Sequence, residues 1–349
     1  MSINLVTRYQ NRLANLYTTK SFLKGKTSQE WEWDGSRNIR ILSVVTQALN
    51  DYDRTATANR YGTPAELQDS VQTLGVYQDK SFSIVVDRGN LTQQNMLKKA
   101  GQVLSAEVGE QVVPCIDKYA LARFALCAGK VADAGASLTK TNILEKLVAV
   151  EDYFSDHLVP LSGRYVCMKN ANVSLLRQSL TNCDDITDRL LLKGIVGKFG
   201  TLNIVGVPAS WMPANTELIA FQTRSVVIPE QISEARIHED PQGFSGNVLE
   251  GRYLFDAGVV AAFRDGCYCL TANGKKAAVS IAIATNVATV TGTNASTILY
   301  TTDGTDPRYS DTAQTYAATV TLTAGQTIRA CGYTAGSYGM SDVETKVNS

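Results

Sequence analysis

The sequence of 349 residues has little of what a catalytic, membrane-bound or nucleic-acid-binding protein needs. It contains two histidines, and its 33 basic and 33 acidic residues give a formal net charge of zero. A balanced charge argues against a dedicated nucleic-acid-binding protein, which carries a basic face. No apolar run is long enough to span a bilayer, and the first residues lack the apolar core and cleavage site of a signal peptide. The composition therefore predicts a protein with no membrane partner.

The cysteines are also uninformative about chemistry, because they are odd in number and spread along the chain. Most lie within apolar patterns, which is typical of free thiols in a reducing compartment. A Cys-x-Cys pair near residue 268 would direct two thiols to one face of a strand, but no second pair and no nearby histidine completes a metal site. The sequence predicts no metal. The seven cysteines are Cys115, Cys127, Cys167, Cys183, Cys267, Cys269 and Cys331.

Residues that can carry catalysis are scarce. His157 follows a predicted helix and His238 lies in a charged segment, and for both a surface position is favoured over a role as general base. Asp184, Asp185 and Asp188 could bind a divalent cation, but the pattern is more typical of a helix N-cap. No glycine-rich segment matches a phosphate-binding loop or a nucleophile elbow. The sequence therefore predicts no catalytic, cofactor-binding or metal-binding residues, no cofactor, and no enzyme.

Helix and strand patterns organise the larger first part of the chain. Residues 91–113 carry an apolar stripe at helical spacing, and Pro114 should end or kink this long helix. Residues 142–156 predict a second strong helix. Strands at 39–45 and 82–87 enclose a long polar stretch with no core of its own, which is unusual in a compact domain. This stretch predicts disorder or an extended arm that contacts a neighbouring subunit.

Two sets of side chains lead to expectations about packing. Leu104, Val108 and Val112 lie on the stripe of the long helix, so we expect them in the core against the body and the returning strands. Trp31 and Trp33 share one face of an extended segment. They could form a ligand platform, although anchoring of the arm on a neighbouring subunit is the favoured interpretation.

At Gly274 the sequence changes character. No Lys or Arg occurs between Lys276 and Arg308, and no Glu occurs until Glu344. Short apolar alternations with a period of two follow one another, which is typical of strands with one buried and one solvated face. The sequence therefore predicts a small all-β module, residues 275–349, behind a larger mixed body.

Several local segments, together with the order of the predicted elements, carry a resemblance to known proteins. The segments are SFSIVVD at 81–87, EQVVPCIDKY at 110–119, GRYV at 163–166, LLRQS at 175–179, ARI at 235–237 and GRYLFDA at 251–257. Through them residues 30–270 resemble the major capsid proteins of tailed double-stranded-DNA bacteriophages, which share the Hong Kong-type capsid fold. The resemblance implies an α+β fold with an N-terminal arm, an extended loop, a spine helix, and peripheral and axial domains.

The expected divisions of the chain follow from this resemblance. They are the N-terminal arm at 1–29, the extended loop hairpin at 30–87, the capsid core at 88–274 and the C-terminal module at 275–349. Within the capsid core, the spine helix and peripheral domain are expected at 88–129 and 220–274, and the axial domain at about 130–219.

The C-terminal module carries its own resemblance. ILYTTDGTDP at 298–307 is its most specific segment, and residues 327–330 and 337–341 follow in the expected order. These residues resemble the Ig-like module at the C-terminus of some chitobiases and in many phage and surface proteins. The resemblance implies a small β-sandwich, and the Asp-Gly and Asp-Pro steps also predict turns between strands.

The capsid resemblance implies a structural protein that assembles into hexamers and pentamers of an icosahedral shell enclosing double-stranded DNA, without sequence-specific binding. It implies scaffold and portal partners, a place in the virion capsid, and assembly in the host cytoplasm. The Ig-like module would be an outward decoration with a surface glycan as a possible partner. Two alternatives stay open. A non-viral nanocompartment shell of the same fold would lack an outward Ig module, and a carbohydrate-active enzyme would need paired carboxylates in a cleft.

Overall fold

The structure is a computed structural model. It describes residues 21–34, 38–44, 49–55, 57–63, 66, 69–88, 100–179, 197–243, 245–310, 312–334 and 340–348. Within these ranges, no helix is long and apolar enough to cross a membrane. The helices are α1 (Ala100–Glu107), α2 (Val113–Leu126), α3 (Ile143–Asp156) and α4 (Asn170–Ser179), with a π-helical segment, Val108–Val112, between α1 and α2 and 3₁₀ turns at Thr223–Ser225 and Ala261–Gly266.

The strands form six sheets among the described residues. They are β1 (Glu32–Asp34), β2 (Asn38–Val44), β3 (Asp69–Gly75), β4 (Gln78–Asp87), β5 (Lys130–Asp133), β6 (Arg164–Lys169), β7 (Gly197–Phe199), β8 (Leu202–Val207), β9 (Thr216–Gln222), β10 (Val226–Val227), β11 (Glu230–Glu239), β12 (Gly246–Phe255), β13 (Gly258–Val259), β14 (Cys267–Thr271), β15 (Ala278–Ala284), β16 (Val287–Thr293), β17 (Thr297–Thr301), β18 (Gln314–Thr315), β19 (Val320–Thr321), β20 (Thr327–Tyr333) and β21 (Glu344–Val347).

Strands β1, β2 and β3 form an antiparallel sheet that we call the hairpin. Its base is fixed to the body on one face, because Ile39 and Ile41 are buried in a cluster with Val227 and Val260. The buried side chain of Gln72 adds two hydrogen bonds, donating to the Val259 carbonyl at 3.1 Å and accepting from the Ala261 amide at 2.7 Å. The predicted strand at 39–45 is confirmed as β2, which pairs with β1 on one side and β3 on the other.

Strand β4 corrects the expected extent of the extended loop at 30–87. It pairs with β12 along its whole length, and β12 pairs with β11, so that the order of the sheet is β11-β12-β4. Residues 78–87 therefore belong to a sheet of the body and not to the hairpin. Period-two alternation predicts a strand but does not identify the strand with which it pairs.

The long helix continues through Pro114, where the sequence predicts an end or a kink. Proline lacks the amide hydrogen and its ring collides with the carbonyl four residues earlier in a regular α-helix. The π-helical segment, with one extra residue in the turn, leads into the proline, and the Val113 amide donates to the Val108 carbonyl five residues back. The expectation that Leu104, Val108 and Val112 are core residues is wrong, because all three are half-buried.

A six-stranded mixed sheet forms the centre of the body, with strand order β5-β14-β9-β6-β8-β7. Helix α2 packs on one face, where Phe124 and Phe221 are fully buried. Helices α3 and α4 pack on the other face, which holds Phe154 and Met168. The expected boundary between an axial domain ending at 219 and a peripheral segment starting at 220 falls inside β9. The same boundary separates β14 from the sheet to which it belongs. Local sequence patterns do not identify strand partners that are distant in sequence.

Helix α3 is the element that the sequence predicts best. All four residues of its stripe, Ile143, Leu147, Val150 and Phe154, are fully buried. Leu147→Ala should lower the free energy of unfolding by about 2–5 kcal/mol, because the lost methyl groups leave a cavity in a rigid core. Urea unfolding followed by circular dichroism measures this loss. Val148→Ala on the solvent side of the helix is the control and should cost at most about 0.5 kcal/mol. Equal losses for both variants would contradict the packing.

The N-terminal segment before the hairpin is also packed on the body. Leu23 is fully buried in the α2 core, and the Phe22 ring lies edge-on to Trp211 with centroids 5.2 Å apart. The Asp117 carboxylate of α2 accepts hydrogen bonds of 2.8 Å from the Ser21 hydroxyl and from the Phe22 amide. These contacts fix the start of the described chain to helix α2.

The C-terminal module is an all-β sandwich, as predicted. One sheet has the order β15-β16-β19 and the other β18-β17-β20-β21. Their facing sides share one apolar core, in which Ile281, Val290, Leu322 and Ile328 are buried. A core that takes residues from both sheets gives the module packing of its own, as expected of a small sandwich.

Candidate interfaces of the subunit

The two histidines lie apart on the surface. His157 follows the last turn of α3, is exposed, and has its Nδ1 atom 2.9 Å from the Tyr153 carbonyl oxygen. His238 lies on the edge strand β11, with its Nε2 atom 3.3 Å from a carboxylate oxygen of Glu250 on β12. His157 thus contacts a backbone carbonyl, and His238 contacts one carboxylate. Neither contact includes a nucleophile that the imidazole could activate.

The Cys-x-Cys thiols are part of the apolar core. Cys267 and Cys269 are completely buried in β14. Burial raises the pKa of Cys269 to about 12 and that of Cys267 well above its ordinary value. Metal binding and nucleophilic attack need the thiolate, which these environments disfavour. Among the described residues no cluster of three or more His, Cys, Asp or Glu is arranged to hold a metal ion. Asp184, Asp185 and Asp188, and Cys183 beside them, lie outside the described residues.

The tryptophan pair makes contacts within its own chain, and its expected role in anchoring the arm on a neighbouring subunit stays a prediction. The rings of Trp31 and Trp33 meet edge to face, with centroids 5.1 Å apart. Trp31 packs against the cluster of Ile39 and Val260 within its own chain. The Trp33 side chain remains 38% exposed. The sequence pattern placed both rings on one face correctly. The cluster that Trp31 contacts combines Ile39 and Ile41 of the next strand with Val227 and Val260 from much later in the chain.

The outer face of the hairpin is exposed and mixes charged with apolar side chains. Arg40 of β2 pairs with Asp34 of β1 at 3.5 Å, and both side chains are about half exposed. Leu42 and Val71 stand directly opposite each other on β2 and β3, and they are 66% and 44% exposed. At the far end Leu49 is fully exposed and Tyr61 is 83% exposed. Tyr52 and Tyr61 contact each other edge to face at 4.9 Å. These exposed apolar side chains make the outer strand face and the far end of the hairpin a candidate interface.

The outer face of the β11-β12-β4 sheet has the opposite character, because charged pairs cross it from strand to strand. Arg252 on β12 forms a two-pronged ion pair with Asp79 on β4, at 2.7 and 3.1 Å. On β11 Arg236 pairs with Glu234, and His238 faces Glu250. The side chains of these pairs are 38–66% exposed, so each pair contributes little to stability. Together they give the sheet a polar face that carries both signs of charge.

The module contacts the body through a buried loop that follows β17, and we call this contact the seam. Arg308 is nearly buried and donates hydrogen bonds to the carbonyls of Ala128 and Gly129, at 3.1 and 3.0 Å, just after the end of α2. The Tyr309 hydroxyl donates to the Cys127 carbonyl at 2.6 Å. Carbonyls at a helix C-terminus lack intrahelical partners and carry negative partial charge, so a cation suits this position. The module therefore caps the spine helix.

Two carboxylates of the module complete the seam by pairing with cations of the body. Asp306 lies 2.8 Å from the Arg308 guanidinium in the same loop and 2.9 Å from the Arg264 guanidinium of the body. Asp342 of the module lies 2.7 Å from Lys276 and 3.4 Å from Lys130 of the body. Within the body, a Cβ on Gly129 would lie 2.2 Å from the Arg264 carbonyl oxygen, so only glycine fits at this end of the seam.

Comparisons with known proteins agree with both parts of the structure. Residues 288–347 match the family model described as Fn3 associated. Three solved phage structures superpose on most of the chain. They are a structure from Mycobacterium phage Che8 (17% identity, TM-score 0.58, covering 77% of this chain and 98% of that one), the capsid of Cyanophage P-SCSP1u (12%, 0.62, 77% and 93%) and the mature capsid of bacteriophage PhiM1 (14%, 0.56, 77% and 92%).

The chain has the tailed-phage capsid fold. Identities of 12–17% establish this fold and nothing finer. Comparison with curated protein sequences finds no match to this chain. Within the capsid fold, α1 and α2 with the π-helical segment form the spine helix, and the hairpin is the extended loop. The predicted fold class, with an all-β domain at the C-terminus, is confirmed.

The seam of this capsid-fold subunit was not predicted, although the sequence held one signal for it. Arg308 is the first basic residue after Lys276, and it lies within an otherwise weakly charged module. The turn at Asp306-Pro307 was predicted, but a turn pattern gives no reason to expect burial. A single cation in such a segment, beside an acid two residues earlier, is a reason to search for a buried pair.

The seam should respond to acid through Asp306. Burial by itself would raise the pKa of this carboxyl, but hydrogen bonds from Arg308 and the charges of Arg308 and Arg264 hold it below its ordinary value of 3.8. A carboxyl whose pKa is lowered by folding stabilises the folded state above that ordinary value, and the contribution is lost as pH falls through the lower, folded-state pKa.

We therefore expect the module to loosen from the body as pH falls below about 4. Hydrogen exchange at the Cys127 and Gly129 amides, measured over a pH series and corrected for intrinsic rates, reports this opening. Asp306→Asn removes the titrating group, so its seam should open further at neutral pH and change less with acid. The same acid dependence in both proteins would contradict the assignment.

Proposed function

We propose that the chain is the major capsid subunit of a tailed phage and assembles into hexamers and pentamers of an icosahedral shell around double-stranded DNA. The observation that carries the proposal is the agreement of fold with three phage structures over 77% of the chain, at TM-scores of 0.56–0.62. A shell subunit needs large lateral contacts and no active site. The functional surfaces of the subunit are then its interfaces.

The hairpin supports the proposal physically. Leu42, Val71 and Leu49 are exposed, and apolar surface costs roughly 25 cal/mol in water for each Å² left uncovered. A neighbouring copy of the same chain would bury this surface in a closed, symmetric assembly. The outer face of the β11-β12-β4 sheet carries both signs of charge, which would fix how one copy aligns against the next.

The charge balance fits a container for DNA. With a formal net charge of zero, the chain lacks the excess of cations that would hold DNA tightly and sequence-independently. We propose packaged DNA as a contact without sequence recognition, scaffold and portal proteins as further partners, and the virion as the location after assembly in the host cytoplasm. The C-terminal module is proposed as an outward decoration that can take a surface glycan. No enzymatic step is proposed.

The direct test is imaging of the purified protein by negative-stain electron microscopy, with size-exclusion chromatography and light scattering on the same sample. Closed shells of uniform diameter are expected. A protein that remains monomeric at every concentration and salt condition, with or without co-expressed scaffold, would contradict the proposal. Nuclease protection of co-purified DNA separates a DNA container from an empty shell.

A further inference from the structure

A cleft of about 470 Å³ opens at the seam between the module and the body. Its walls come from both parts: Lys130 and Arg264 belong to the body, and Arg308 and Arg329 belong to the module. Tyr153 and His157 complete the rim. The cleft is therefore lined by four permanent cations within a small volume.

The acidic residues of the cleft do not balance these cations. Asp306 is shared between Arg264 and Arg308, and Asp342 is shared between Lys130 and Lys276. Three cations of the cleft, together with the neighbouring Lys276, thus share two carboxylates. Asp265 adds one more acid near the rim, where its carboxylate lies 3.4 Å from the Tyr153 hydroxyl.

Arg329 is the remaining cation of the cleft, and it has no carboxylate of its own. It lies on β20, opposite Thr301 on one side and Thr345 on the other. It forms no ion pair with any described residue, and its Nε atom is buried without a hydrogen-bond partner. A guanidinium in a partly dry site is costly unless an anion or an acceptor satisfies it.

We propose that this cleft binds a phosphate group. A tetrahedral oxyanion offers several acceptor oxygens, which match the planar donors of guanidinium groups. In the cleft, such an anion would lie between the Arg329 side chain of the module and the Lys130 and Arg264 side chains of the body. It would neutralise the excess charge and join the two parts of the chain.

Two sources supply this chemistry, namely free phosphate in solution and a backbone phosphate of nucleic acid. The inference rests on the seam and not on shell assembly, so it is tested on the unassembled full-length subunit. Binding of inorganic phosphate is measured by isothermal titration calorimetry at an ionic strength fixed with sodium chloride. A short DNA duplex is titrated in a parallel experiment.

The variants Arg329→Gln and Lys130→Gln each remove one cation from the cleft. Each should weaken binding of phosphate by roughly tenfold or more, because a charge-assisted hydrogen bond is lost. Arg236→Gln removes an exposed, paired cation on the distant sheet and should leave binding unchanged. Lys130 is 40% exposed on its side chain, so Lys130→Gln keeps the test decisive even where Arg329→Gln impairs folding.

The outcomes separate the two sources and can overturn the proposal. Phosphate binding that both cleft variants lose and the control keeps supports a site for free phosphate. Duplex binding with the same dependence, in the absence of binding by inorganic phosphate, supports a backbone phosphate as the ligand. No binding beyond that of chloride, or equal binding by the wild type and both cleft variants, overturns the proposal.

Discussion

A subunit that lacks residues 52–62 is expected to fold normally and to form no shells. The deletion removes the tip of the hairpin, in which the Asp53 amide donates to the Arg60 carbonyl and Tyr52 packs on Tyr61. The hairpin base keeps its attachment through Ile39, Ile41 and Gln72. Under the proposed function the lost surface contacts other copies of the chain, so its removal should abolish assembly.

Three measurements check this result. Electron microscopy should show no closed particles, size-exclusion chromatography should give a monomer, and the thermal midpoint should lie within a few degrees of that of the full chain. Tyr61→Ser, at an 83% exposed position, is the milder variant and should reduce the yield of shells without changing the monomer. Normal particles from the deletion would contradict the proposed role, and so would a monomer that no longer folds.

The second large effect is expected at the seam. Arg308→Met should lower the free energy of unfolding by about 3–5 kcal/mol, the usual cost of breaking a buried ion pair on one side. It would leave the Ala128 and Gly129 carbonyls unpaired and remove the closer partner of Asp306, whose side chain is 11% exposed. Tyr309→Phe removes one hydrogen bond and should cost about 1–3 kcal/mol.

Urea unfolding measures both losses, and limited proteolysis of the linker near Gly274 reports whether the module has separated from the body. Arg236→Met is the matched control, since its guanidinium is 66% exposed and pairs with an exposed glutamate. It should cost at most about 0.5 kcal/mol. An Arg308→Met protein as stable as this control would contradict the role of Arg308 in the seam.

Sequence patterns predicted the features that depend only on residues near each other in the chain. The α3 stripe is fully buried because four apolar residues at helical spacing need no information from elsewhere in the chain. The module was located from its change in composition, which a domain boundary produces directly. In both cases the signal and the structure it predicts lie within the same few residues.

The features that the sequence did not predict depend on contacts between distant residues. Strand β4 pairs with β12 across more than 150 residues, and Trp31 packs on Val260. The bond between Arg308 and Ala128 joins residues 180 positions apart. Pro114 was expected to interrupt the helix, and only the three-dimensional packing shows that a π turn absorbs it. One-dimensional periodicity carries no information on which surfaces meet.

The cap on α2 also has a consequence for synthesis on the ribosome. The chain emerges from its N-terminus at about 5–20 residues per second, so the carbonyls of Cys127, Ala128 and Gly129 are made many seconds before Arg308 and Tyr309. During that interval the end of the helix lacks its final partners. Prematurely terminated chains that stop before Asp306 never receive them. The end of α2 therefore gains its last hydrogen bonds only after synthesis has passed Tyr309.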